Sequence, residues 1–256
     1  MLVARCPRPY VGWMDADLAA IVVAVLPHGE HGAVVRVLAP EGLVAAYVPG
    51  GRSRSQRPVL APGNGVALRL RARSAGGLPT AAVELVRART GLATERATAA
   101  AVDYLTALVA TVLDEGVAHP RLHAALDGVL DAMGFAVTPL DWLPGVVRFE
   151  LLLLAELGFG LDLSTCAATG EAAATADLAY VSPKSSHAVG RAAGEPYAAK
   201  LLPLPAFMLS GGAASVGDVA EGFQTTGWFL ERDVLTARAA GLLAARRRVV
   251  GVVTDA

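Results

Sequence analysis

Near residue 90 the hydrophobic pattern of this 256-residue chain changes period, and no single regular architecture accommodates both parts. Before that point, β-branched and apolar runs alternate with turn residues. Ile21 to Leu26, Ala33 to Leu38 and Gly42 to Val48 are separated by His28-Gly29-Glu30-His31-Gly32 and by Pro40-Glu41-Gly42. A loop from Gly50 to Gly65 follows, then Val66 to Arg73 and Thr80 to Arg89, joined through Ser74-Ala75-Gly76-Gly77. Five strands with a three-stranded meander in front predict a small closed barrel, with an OB-fold as first candidate and an SH3-like barrel as its rival, because strand count does not separate the two.

From residue 91 the spacing is helical. Ala97, Ala101, Tyr104, Leu105, Leu108 and Leu113 predict a helix over 94–115. His119-Pro120 opens a second one that ends at Gly134, and a third runs from about Pro139 to Leu157 and stops at Gly158. Residues 160–195, rich in Thr, Ser and Gly, read as a loop-like insert. Helix is expected again over Pro196–Leu209 and Val219–Arg248, divided by Gly211-Gly212. The predicted division is therefore a barrel over 15–90 and an all-α bundle over 91–256, with residues 1–14 an extension and Met14-Asp15 a candidate natural start.

The composition, 54% hydrophobic and 18% charged, excludes disordered and fibrous classes. Leu18 to Leu26 is nine apolar residues, but Asp15 and Asp17 stand where a signal peptide carries bases. No apolar run approaches the roughly 20 residues of a membrane helix. A cytoplasmic, nucleoid-associated protein is expected. Cys6 and Cys166 are too few for a disulfide scaffold or a four-thiolate metal site.

Phosphate and dinucleotide loops are missing: Gly63-Asn64-Gly65 has neither the spacing nor the helix they need. There is no Gly-x-Ser-x-Gly elbow, and Ser53, Ser182 and Ser210 lack a base partner, so an enzyme is not expected. His119 and His123 share a helical face but lack further ligands, and His119, near a helix start, is expected to be solvated. Cys166 reads as a small buried hydrophobe. No cofactor and no metal are expected.

The strongest signal is arginine. Residues 1–90 carry 11 Arg and no Lys against five acids, a net charge of +6, whereas residues 91–256 carry −7. Arg52, Arg54 and Arg57 lie on the glycine-hinged loop Gly50-Gly51-Arg52-Ser53-Arg54-Ser55-Gln56-Arg57. Arg69, Arg71 and Arg73 alternate along one strand and so share a face. With Arg36 they form the predicted DNA-binding set, because a row of like charges repels unless a polyanion bridges it and guanidinium forks match phosphate oxygens. A protein-binding adaptor barrel with a helical domain and no direct DNA binding is the first alternative, and a hydrolase comes after it. Aromatic residues for base stacking are scarce; only Tyr47 lies on a strand, and it reads equally as core.

The order of these segments resembles the RecO family of bacterial recombination mediators. The resemblance rests on His28-Gly29-Glu30, Gly50-Gly51-Arg52-Ser53-Arg54 and Pro58-Val59-Leu60-Ala61-Pro62-Gly63-Asn64. It continues through Arg148-Phe149-Glu150-Leu151-Leu152-Leu153-Leu154-Ala155-Glu156-Leu157-Gly158-Phe159, Leu163 and Cys166, and through Ala179-Tyr180-Val181-Ser182-Pro183-Lys184-Ser185 and Phe229-Leu230-Glu231-Arg232. It implies an α+β chain: an N-terminal OB-fold, then a helical bundle with a degenerate zinc-finger-like insert at about 160–195. The function implied is non-enzymatic annealing of single strands and loading of the recombinase onto strands coated by single-stranded-DNA-binding protein. The implied partners are DNA, the acidic C-terminal tail of that coating protein, and RecR. Members with a four-cysteine zinc site differ from this chain, which keeps Cys166 but has Thr169, Gly190 and Ala193 at the other three places. Zinc dependence is therefore not carried over, and packing and hydrogen bonds are expected to hold the insert. An acidic tail peptide needs a basic rim beside apolar residues, which points to Arg246, Arg247 and Arg248 with Leu242 and Leu243.

Overall fold

In the computed structural model, which describes residues 16–72, 77–235 and 239–254, the alternating stretches become β1 (Asp17–His28), β2 (Gly32–Ala39) and β3 (Gly42–Val48). A one-turn helix, α1 (Gln56–Val59), precedes β4 (Gly65–Arg71) and β5 (Thr80–Arg87). The strands close in the order β1-β2-β3-β5-β4. β1 pairs antiparallel with both β2 and β4, and β3 meets β5 in parallel at Tyr47 and Thr80. That closure is the OB-fold arrangement, which settles the choice between the two barrels.

Alternation explains the barrel. Val35, Val37, Ala39, Val44, Ala46, Val48, Val66, Leu68 and Leu70 all point into it, a wholly aliphatic core. Ile21, Val23, Leu38 and Leu43 are buried as well, although the last two lie on the opposite side of their strands from that core. Helix α2 (Arg96–Val112) packs against β1 and covers this outer apolar face. The following helix is α3 (Pro120–Phe135). The chain divides into two compact units, the first ending at Gly134 and the second beginning at Phe135.

The second unit starts with a capped 3₁₀ turn, Pro139–Asp141, in which the Asp141 carboxylate accepts from the Val137 and Thr138 N–H groups. Then come α4 (Leu143–Glu156), β6 (Leu178–Val181), β7 (Ala188–Gly190), α5 (Arg191–Gly194) and β8 (Leu202–Pro203). The unit ends with α6 (Ala206–Ser210), α7 (Val216–Phe229) and α8 (Ala240–Thr254). The insert expected to be loop-like contains a three-stranded sheet in the order β7-β6-β8.

Two expected helices are broken. Pro196–Leu209 is instead a 3₁₀ segment, β8 and α6, because Pro203 and Pro205 cannot donate in a helix interior. Val219–Arg248 is interrupted by a π turn at Leu230–Val234. The chain then folds back, and the Arg246 guanidinium donates to the Phe223 carbonyl at 2.7 Å. In an unbroken helix these residues would lie about 35 Å apart.

That return is held by a buried ion pair. Arg246 Nε and Nη2 meet Glu150 Oε1 and Oε2 at 2.8 and 2.9 Å, and Glu150 is fully buried. Thr226 Oγ1 donates to the same carboxylate, so α4, α7 and α8 share one polar centre. Arg246→Ala strands that carboxylate and is expected to cost about 3–5 kcal/mol in urea unfolding, most of it recovered when Glu150 and Arg246 both become Met. A single-variant loss below about 1 kcal/mol, the scale of an exposed pair, would show that the pair is solvated.

Candidate nucleic-acid interface

The arginine loop is anchored at both ends. At its start Gly51 is buried against β2 and β3: a Cβ there would stand 2.9 Å from Ala33 Cβ and 3.1 Å from the Val48 carbonyl oxygen. At its end Asn64 is fully buried, its Nδ2 donating to the carbonyls of Pro58 at 2.8 Å and Val59 at 3.1 Å. Its Oδ1 accepts from the Arg89 N–H at 2.7 Å. Leu60 is buried in the barrel core between these anchors. The intervening Arg52, Arg54 and Arg57 are exposed.

Arg52 joins this loop to the β1–β2 turn. Its N–H donates to the His31 carbonyl at 3.1 Å, and its Nη1 reaches the Glu30 carbonyl at 3.2 Å and that of Gly29 at 3.4 Å. Arg54 and Arg57 have no carboxylate partner among the described residues. Between the turn and the loop lies a groove of about 740 Å³ at the barrel mouth.

The other arginines separate by what faces them. Arg69 and Arg71 point outward from β4 as expected, but Arg69 Nε lies 3.2 Å from Asp17 Oδ1, its registered partner on β1. Arg71 is exposed opposite Thr80. Arg73 lies outside the described residues. Arg36 does not belong to the exposed set: it is half-buried on β2, donates to the Ala110 carbonyl and lies 3.5 Å from Glu115. The α2 side of the barrel has taken it out of the surface. Arg87 and the buried Arg89 face Asp127 and Asp131 on α3, with Arg89 Nη2 at 2.6 and 2.5 Å from the two carboxylates. Burial by itself raises Asp131, yet hydrogen bonds and charge from Arg89 and Arg87 outweigh it and hold the carboxyl below its usual range. The sequence excess of +6 is thus largely balanced by neighbouring acids: up to Gly134 the chain has 13 arginines and 11 acids.

The model of the Recombination protein O N terminal family matches residues 14–89, and that of the Recombination protein O C terminal family matches residues 93–238. The chain belongs to the RecO family. It is 43% identical to the DNA repair protein RecO of Rhodospirillum rubrum over 246 residues, covering 94% of this chain and 95% of the relative. It is 44% identical to the protein of that name from Caulobacter vibrioides over 231 residues, 89% of each chain, and 44% identical to that of Rhizobium etli over 238 residues, covering 91% and 89%. Among the described residues no helix is long and apolar enough to cross a membrane.

On the last helix of this RecO-family chain, Arg246 is withdrawn from the expected peptide-binding set by its buried pairing with Glu150. Leu242 is withdrawn too, being 7% exposed. Arg247 and Arg248 remain exposed, with Leu243 half-buried beside them. His119 is buried at 7% exposure, contrary to the solvated position expected of it, and burial pushes the His123 imidazole down. Tyr47 is not core: it points outward, half-buried over Gly32, edge-on to the His28 ring at 5.5 Å. Asn64 and Arg89 were not legible as functional, although Asn64 closes the Pro58–Asn64 segment that carries the family resemblance.

In the insert, Cys166 is buried and its sulfur accepts from the Thr169 hydroxyl and from the Gly190 N–H at 3.2 Å. Two of the three places that hold cysteines in zinc-binding members thus point hydrogen-bond donors at the remaining sulfur. Such a set does not fit tetrahedral zinc, and no group of three His, Cys, Asp or Glu among the described residues could hold a metal. At Gly190 a Cβ would meet the Ala176 carbonyl oxygen at 2.6 Å, so this backbone arrangement admits no cysteine there. The Thr169 hydroxyl and the Gly190 amide lower the Cys166 thiol from 9.0 to about 7. A depressed folded value stabilises the fold fully above the unfolded value and loses that contribution as pH falls through about 7. The urea midpoint is expected to rise between pH 7 and pH 9, and Cys166→Ser to flatten that rise; equal slopes for the two proteins would refute the assignment.

Proposed function

We propose that this chain is a non-enzymatic mediator of DNA repair and homologous recombination. It binds DNA, anneals complementary single strands and, with RecR, helps load the recombinase onto strands coated by single-stranded-DNA-binding protein. The observation that carries the reading is the anchored loop with Arg54 and Arg57 free of carboxylates and Arg52 tied to the neighbouring turn. Membership of a family whose relatives are named DNA repair proteins supports it.

Annealing is slow in part because two polyanions repel. Guanidinium groups on a fixed loop lower that repulsion without covalent chemistry, and their counterion release makes binding salt-dependent. Arg71 extends the charged surface along β4, whereas Arg69 contributes less because Asp17 accompanies it. The acidic tail of the coating protein is proposed to meet Arg247 and Arg248 on α8, with Arg246 serving to fix that helix.

Replacing Arg52, Arg54 and Arg57 together by Ala should weaken binding to a single strand and flatten log affinity against log salt by roughly two units, from about 0.7 per phosphate contact. Strand annealing, measured with and without the coating protein, should fall in parallel. An unchanged salt slope would remove this loop from the interface.

A further inference from the structure

We infer that Asp127 and Asp131, two acids on α3, are positioning residues for the arginine loop: they strengthen its hold on a polyanion although they are themselves negative. This rests on the proposed binding of DNA by that loop and adds to it the groups that set the loop's geometry.

The connection runs through Arg89. Its side chain is almost wholly buried, with Nη2 on both carboxylates and Nε 3.1 Å from Asp131 Oδ1. Nη1 turns the other way and donates to the Gly63 carbonyl at 3.1 Å. The backbone N–H of the same residue donates to Asn64 Oδ1 at 2.7 Å. One residue therefore grips both Gly63 and Asn64. Asn64 in turn holds the Pro58 and Val59 carbonyls at the end of α1, directly after Arg57. Gly63 is packed where the loop meets the helices: its φ is +90°, and a Cβ there would lie 3.2 Å from Val102 on α2 and 3.9 Å from Leu130 on α3.

Charge decides whether this grip lasts. A buried guanidinium is tolerated only while carboxylates answer it. Neutralising both leaves Arg89 with two amide oxygens, weaker acceptors for a full charge, and water becomes the better partner. The side chain then turns toward solvent, Gly63 loses its donor, and the segment from Pro58 to Asn64 loosens with Arg57 at its head. Net charge alone dictates the opposite. Two fewer acids raise the positive charge of the unit and free Arg87 and Arg89 for phosphate, so a polyanion would bind more tightly. Affinity therefore moves in opposite directions under positioning and under net charge.

The test uses the full-length protein, a fluorescent single strand and a salt titration. Asp127→Asn with Asp131→Asn is expected to weaken binding about as much as Arg57→Ala does. It should also flatten log affinity against log salt by about 0.7, the worth of one phosphate contact. Glu84→Gln with Glu95→Gln makes the same change of charge at exposed acids outside this chain of bonds, and should leave affinity equal or higher. Adding Arg57→Ala to the two asparagines should cost nothing further, because the acids act through Arg57. Unchanged or tighter binding in the Asp127→Asn, Asp131→Asn protein overturns the inference. So does an equal loss in the glutamine control, or a fully additive loss when Arg57→Ala is added. Arg57→Ala without effect on binding sinks the phosphate reading of the loop itself, a distinguishable failure that takes this inference with it. Should the double variant not fold, as read from its urea transition, Asp127→Asn alone decides, since Asp131 still answers Arg89. A smaller loss in the same direction supports the positioning role, and equal or tighter binding overturns it.

Discussion

The arginine loop depends on one buried amide. Asn64 is closed off from solvent, yet its side chain is satisfied on both sides: the nitrogen by two carbonyls at the end of α1, the oxygen by the amide of Arg89 just beyond β5. A buried amide left unpaired costs about 1–3 kcal/mol, so the arrangement is held collectively. The backbone reinforces it, since the Val22 N–H donates to the Asn64 carbonyl and the Gly63 N–H to that of Val22, where β1 shifts register. The loop's end is thereby tied to β1 and β5 together. Residues between Gly51 and Leu60 can carry like charges because their ends are set by neutral hydrogen bonds and by Leu60 in the core, not by counter-ions.

Arginine serves two purposes in the first unit, and burial separates them. Arg89 is 7% exposed and answers two carboxylates and two carbonyls, so removing it would strand several polar groups in a water-poor site. Arg69 and Asp17 are both well exposed, and such a pair is worth about 0–1 kcal/mol. Asp17 trims the local potential without contributing much to the fold. The surface positive charge is what remains after α2 and α3 have answered Arg36, Arg87 and Arg89. Local charge on the loop therefore matters more to a polyanion than the net charge of the unit.

Barrel strands were the most legible part of the sequence, because alternation with a closed aliphatic interior leaves a period-two trace: Gly42 to Val48 matches β3 at both ends, and the ends of the other four predicted runs lie no more than four residues from those observed. Helices α2, α3 and α4 were readable for the corresponding reason. What could not be read were features set by partners distant in sequence. Arg246, Arg247 and Arg248 are indistinguishable as a run of three; only the position of Glu150, 96 residues earlier, buries the first of them. Arg36 likewise resembles its outward-facing counterparts until α2 is laid over β2. The loop site was legible as charge, but its groove was not, since Val25, Ala33 and Leu60 come from three separate segments.

The insert shows how the family fold persists when a zinc set is incomplete. A structural zinc contributes folding energy outright, and its loss leaves the ligand positions to find other partners. Here the remaining sulfur becomes a hydrogen-bond acceptor, and the chain segments that zinc would join, around Cys166 and Gly190, are joined by the Gly190 amide instead. The replacement is weaker per contact, so the rest must come from the sheet. β6 lies between β7 and β8, and Leu178, Val181, Ala188 and Leu202 from these strands are buried. Backbone pairing across three short strands, with apolar residues beneath them, takes over what a single ion would otherwise do. At Gly190 the close approach to the Ala176 carbonyl leaves no room for a Cβ, so the backbone that pairs β7 with β6 and points its amide at Cys166 excludes the cysteine that a zinc set would need there.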